Sequence, residues 1–242
     1  MTRALPEPGD PGRVWLEDLA PCIEHGRFPI KRSVGERVEV TVDALADGHD
    51  RIALMLRHRV AEAGPWIETP MVHVVNDRWE ASFLCEELAL HEYTVVGWVD
   101  HFATWLSGLQ KKVAAEQDVA VELQEGALMI TAAAERADPV DRARLEVAAA
   151  ELGSTELSQE ERAVRAAALD LGALMRRYAD RERQSEYPQV LRVDVARERA
   201  RTGAWYELFP RSAAAETGRD GPGLRLAAAR LPAVAAMGFD VV

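Results

Sequence analysis

The sequence predicts a protein that is mainly β plus α. It reads as an immunoglobulin-like antiparallel β-sandwich with an inserted helical bundle, followed by the first βα unit of an incomplete (β/α)8 barrel. Three observations carry that expectation. Short period-two apolar runs, broken by turn residues, fill the first part of the chain. The texture then turns Ala-rich and loses its alternation before one more alternating run returns. Finally, a short aromatic strand, a Gly-rich stretch and a helix-length run follow one another over residues 201–242, the order of a βα unit.

Composition narrows the function. The 242 residues are 48% apolar and 29% charged, with a formal net charge of −11. Those fractions are ordinary for a globular protein. An acidic chain lacks the clustered Lys and Arg that nucleic acid or an anionic membrane needs, so neither is an expected partner. No apolar run reaches the ~20 residues that span a bilayer. The Pro- and Gly-rich residues 1–12 lack the apolar stretch of a secretory signal and read as a disordered lead-in. Cys22 and Cys85 stand far apart and suit a reduced cytoplasm better than a disulfide scaffold.

Taken in order, residues 13–118 read as the N-terminal β-sandwich. Val38, Val40, Val42 and Ala44 share one face of an alternating run, and Asp47-Gly48-His49-Asp50 makes a turn. Ile52, Leu54 and Leu56 alternate next. Pro65 to Val75 and Arg78 to Phe83 flank the turn at Asn76-Asp77, and Tyr93 to Asp100 is a further strand. Residues 119–186 read as the inserted bundle. Asp138-Pro139 opens a helix that stops at Gly153. Ser158 and Glu161 form a capping box. The helix it opens carries Val164, Ala168, Leu171, Met175 and Tyr178 as a stripe. The mixed-charge run Arg176 to Arg183 reads as a solvated face. Residues 187–200 supply a lone strand that must find a partner, most simply in the first sandwich. Residues 201–242 hold the strand Ala204 to Phe209, a polar loop, the helix Leu226 to Met237 with Gly238 as its cap, and a second strand beginning at Phe239. That order reads as the front of a longer protein, with its chemistry on the part that follows.

Four separated segments resemble one family. They are Cys22 to Arg32, Ala46 to Asp50, Gly97 to Trp105 and Ala204 to Ser212, in that order. The chain resembles the bacterial α-1,4-glucan:maltose-1-phosphate maltosyltransferases of the α-amylase superfamily, over nearly all its length after the first dozen residues. The loop Ala213 to Gly223 follows the family pattern less well than its flanks. The resemblance implies a β domain with a helical insertion, associated with homodimer assembly, ahead of a catalytic barrel. It implies transfer of maltosyl units from α-maltose 1-phosphate to the non-reducing end of an α-1,4-glucan, with release of phosphate and no cofactor. Such retaining chemistry uses an Asp nucleophile and a Glu acid/base, which the resemblance places on later barrel strands. No catalytic residue is therefore assigned in this chain, and the 242 residues alone are expected to be inactive. The alternative is a non-catalytic module that binds glucan or mediates dimerisation.

Within the chain, Trp98 and Trp105 are the candidate glucan contacts, with Phe102 beside them and Trp66 and Trp79 as possible extensions of the platform. Large aromatics also serve as core and interface packing, the commoner role. Glu207 on the aromatic strand lacks a second carboxylate and reads as a structural acceptor. The six histidines (His25, His49, His58, His73, His91 and His101) show no metal spacing. Gly218, Gly221 and Gly223 match neither a Walker loop nor a dinucleotide fingerprint, and Ser212 has no nearby His to activate it.

Overall fold

The computed structural model describes residues 12–61, 64–212 and 223–242. The lead-in expected over 1–12 lies outside these residues except for Gly12. So does the polar loop from Ala213, with Gly218 and Gly221, except for Gly223.

The protein combines β-sheets with α-helices. One sheet has four strands in the order β1 (Val14–Ala20), β3 (Arg37–Ala46), β7 (Arg78–Leu84), β6 (Val72–Val75), with antiparallel neighbours. The other follows the order β2 (Ile30–Ser33), β10 (Leu191–Ala196), β8 (Leu90–Val99), β4 (Ile52–Val60), β5 (Ile67–Pro70), with the short β9 (Ser185–Glu186) also on β8. The expected period-two runs account for both. Val38, Val40 and Val42 of β3 are fully buried and share one core with Leu54, Leu56, Tyr93, Val95 and Val193 of the other sheet. Alternation puts every second side chain into that core, so a one-residue slip would expose the whole set.

The run expected over Pro65 to Val75 divides in two. β5 pairs with β4 in the larger sheet, Met71 donates its N–H to the Leu54 carbonyl at 3.0 Å, and β6 then joins β7 in the smaller sheet. The segment thus stitches both sheets along one edge.

Strand β10 fills a central place, parallel to β2 (Val193 opposite Ile30) and antiparallel to β8 (Val193 opposite His91). Every intervening helix lies between β8 and β10 in sequence. The first, α1 (His101–Ala114), begins at once after β8, capped by Asp100 Oδ1 accepting from the Ala103 N–H at 2.9 Å. The helical region therefore opens at His101, not at residue 119. Phe102, Trp105 and Leu109, spaced three and four apart, bury into the helical core, and their aromatic content had masked that period.

Helices α2 (Ala120–Arg136) and α3 (Pro139–Gly153) pack together over Leu123, Ile130, Leu145 and Leu152. Asp138 caps α3 and the Ser158/Glu161 box caps α4 (Gln159–Ala166). The single helix expected beyond Ser158 is two. It breaks at Ala167-Ala168 and restarts as α5 (Leu169–Arg177). Phase explains the break. Ala163 and Ala166 are buried, so an unbroken helix would next bury position 170, which is Asp170. Restarting brings Leu171, Leu174 and Met175 inward instead, and leaves Val164 exposed.

In residues 201–242, the segment around Trp205 pairs in parallel with Val241 as an isolated bridge, and Tyr206 donates to the Val241 carbonyl at 2.9 Å. Helix α6 (Gly223–Ala236) lies between them in sequence, and Gly238, at φ 88°, follows it in the left-handed region that glycine favours. The strands expected at Ala204 to Phe209 and from Phe239 thus reduce to one bridge, since each has a single parallel neighbour. No helix among the described residues is long and apolar enough to cross a membrane.

Candidate functional site

Strand β8 is covered on both faces. Its inner residues meet the sheet core. Its outer residues Val96 and Trp98 pack with Ala53 and Met55 beneath Ala179, in the segment that leads from α5 back to the sheet. Where this outer face meets the helices, two adjoining clefts of about 280 Å³ each share Trp98, Val99, His101 and Asp180. One is largely apolar, with Phe102, Met129, Met175 and Ala179. The other has a charged mouth with Arg13, Glu182 and Arg183.

Both tryptophans expected to touch glucan are committed to packing here. Trp98 is 2% exposed and Trp105 8%. The Trp105 indole N–H donates to the Glu122 carbonyl at 2.8 Å, and its ring lies directly on Gly126. The Arg181 guanidinium covers the Trp98 ring at 4.2 Å, a cation–π contact. A sugar stacks on an exposed ring face, and neither residue presents one. Trp66 is likewise covered, by Arg59 at 4.3 Å.

Arg181 was hidden in a run read as a solvated face. It lies past the end of α5 and also donates to Glu68 Oε2 at 2.6 Å. Arg57 reaches Glu68 at 2.8 Å and Glu186 at 2.9 Å. Burial pushes the Glu68 carboxyl up, but the hydrogen bonds from Arg181 and Arg57 outweigh it and hold the group below its ordinary value. This network fastens the return segment to the larger sheet. An arginine just beyond a helix end, with strand carboxylates to meet, was the available signal.

Asp138 and Asp141 converge on the Tyr178 hydroxyl, at 2.7 and 2.9 Å. Paired carboxylates invite a catalytic reading, but both are engaged. Asp138 accepts from the N–H groups of Asp141 and Val140, and the Asp141 N–H bond leads in holding it below the usual carboxylate range. Asp141 is buried and meets Arg144 and Arg177. The Asp138 hydrogen bond leads in pushing Tyr178 up to about 12. This constellation clamps the end of α5 to the start of α3.

Glu207 is exposed. Cys22 and Cys85 are both free thiols, and burial pushes Cys85 up. Among the described residues no group of three or more His, Cys, Asp or Glu could hold a metal.

Two sheets on a shared core, with helices inserted between β8 and β10, define a mixed β and α class of protein. Comparison with known proteins names the family. Residues 12–197 match domain N/S of alpha-1,4-glucan:maltose-1-phosphate maltosyltransferase, and the chain belongs to that family. Proteins of that name are 40% identical over 234 residues in Chlorobaculum tepidum and 39% over 242 residues in Myxococcus xanthus. The first alignment covers 95% of this chain and 34% of the relative, the second 96% and 36%. The Streptomyces coelicolor protein named maltosyltransferase 1 is 38% identical over 236 residues, covering 96% of this chain and 34% of its own length. The chain thus spans about a third of the length of these curated relatives.

Proposed function

We propose that this chain is the N-terminal, non-catalytic part of a cytoplasmic enzyme of α-glucan synthesis. The whole enzyme transfers maltosyl units from α-maltose 1-phosphate to the non-reducing end of an α-1,4-glucan and releases phosphate. The match of residues 12–197 to the N/S domain carries this reading, and relatives bearing the maltosyltransferase name support it. On the same reading the two sheets form an immunoglobulin-like sandwich over 13–100 and 187–200, with the helical region from His101 to residue 186 inserted. The unit spanning Ala204 to Val241 is the opening of a (β/α)8 barrel of the α-amylase superfamily. Its parallel bridge across α6 supports that assignment.

The chain's own part is structural. Retaining glycosyl transfer needs two carboxylates facing each other across a substrate cleft, about 5–5.5 Å apart. The Asp138/Asp141 pair instead serves as a cap and clamp. We further infer that the chain assembles as a homodimer through the β region and the helical insertion. Apolar side chains left exposed on both, such as Val72 and Val75 on β6 and Val140 and Val147 on α3, favour it. The test is phosphate release from α-maltose 1-phosphate with a glucan acceptor, for the 242-residue chain and for a gene product as long as the relatives. Release by the longer product alone supports the reading, and release by neither overturns it.

A further inference from the structure

A third cleft, of about 330 Å³, opens between the β3–β4 turn and the β6–β7 hairpin. Its walls include Asp50, Arg51, His73, Asn76, Asp77 and Trp79. The frame is well held. Ala44 donates to the Asp77 carbonyl at 2.9 Å, and Arg78 Nη2 donates to Asp43 at 2.7 Å. The Arg51 backbone is fixed on both sides, donating to Thr104 Oγ1 at 2.8 Å and accepting from the Asp100 N–H at 2.7 Å. Arg13 meets Asp50 at 2.8 Å. Asn76, at φ 52°, takes the left-handed conformation its side chain tolerates.

The chemistry of the lining is selective. Trp79 is half-buried, packs against the sheet core and meets the His73 ring edge-on at 5.3 Å. It supplies a large, preformed apolar surface. The residues lining the cleft with it include two aspartates, an arginine and an asparagine, types whose side chains donate and accept hydrogen bonds. One apolar ring surface ringed by mixed donors and acceptors matches a hexose, with its C–H face and its rim of hydroxyls. Asp50 and Asp77 disfavour an anion such as a sugar phosphate. The volume lies at the lower end of the ~300–1,000 Å³ of small-molecule sites. We propose that this cleft binds neutral oligosaccharide, one or two glucosyl units of an α-glucan; the sugar's identity rests on the function proposed above.

Calorimetric titration of the 242-residue chain with maltoheptaose tests it. Saturable binding is expected, weakened about tenfold by Asp77→Ala and by Arg51→Ala, with unchanged melting temperatures. Trp79→Ala should abolish it; because Trp79 also touches the core, the two polar variants decide the matter should that protein not fold. Trp205→Ala, which alters an exposed ring elsewhere, should bind as the parent chain does. No binding of maltoheptaose, or binding that both polar variants leave unchanged, overturns the cleft. Phosphate release by the longer gene product is a separate readout. If release persists while the chain binds no glucan, the cleft alone is refuted.

Discussion

Gly126→Ala tests the packing of α1 against α2 most sharply. A Cβ at position 126 would sit 2.1 Å from Trp105 Cζ2 and 2.4 Å from Cη2. Favourable carbon contacts begin near ~3.5 Å, so the indole must move by more than about an ångström. Trp105 is rigid and buried, and its N–H is tied to the Glu122 carbonyl. Overpacking costs about 1–3 kcal/mol, and loss of that hydrogen bond about 1 kcal/mol more. Alanine's better helix propensity returns about 1 kcal/mol. The net expectation is a loss of about 1–3 kcal/mol. Gly108→Ala on α1 is the matched control, since its Cβ would meet nothing within 4 Å, and it should stabilise by up to about 1 kcal/mol. Urea unfolding followed by circular dichroism and tryptophan fluorescence reads both. A Gly126→Ala protein as stable as the parent would refute the close contact, and with it the reading of Trp105 as core.

Three further outcomes follow from the same geometry. Ser158→Ala removes the α4 capping box and should lower stability by about 1 kcal/mol, read from the urea midpoint. Tyr93→Phe loses the bond from a fully buried hydroxyl to the Pro21 carbonyl and should cost about 1–2 kcal/mol, with an unchanged far-ultraviolet spectrum. His58 stacks on Phe83 at 4.6 Å. Burial first, then the neighbouring His91, holds its imidazole below the ordinary 6.5, against the opposing pull of Glu86. The unfolded chain then binds more protons than the folded one below pH 6.5. Stability should fall as pH drops from 6.5 toward the folded-state value, and His58 should contribute nothing well above 6.5. His58→Gln should flatten that part of the stability–pH curve; an unchanged slope would mean that His58 is not its source.

The legible parts were those where local chemistry and tertiary need agree. Val38 to Ala44, the Asp138 and Ser158 caps and the Gly238 cap all match local signals with the structure. The strand at Leu191 to Ala196 was legible for a different reason, because a lone strand must pair. Errors arose where composition hid the period. Phe102 and Trp105 look like strand residues, yet their spacing serves a helix. Ala167-Ala168 carries no breaker, and only the need to turn Leu171 rather than Asp170 inward splits that helix. For the candidate sites, residue type pointed to Trp98 and Trp105, but exposure is a tertiary property. Arg181 and Gly126, which cover or carry those rings, lie far from Trp98 and Trp105 in sequence. The Trp79 cleft joins two turns more than twenty residues apart, beyond the reach of any local pattern.

The most direct measurement is phosphate release from α-maltose 1-phosphate in the presence of maltoheptaose, with product chain lengths read alongside. The account predicts none from the 242-residue chain. From the gene product of the relatives' length, it predicts release matched one for one by chains two glucosyl units longer. Phosphate release by the 242 residues alone, or its absence from the longer product, would contradict the account.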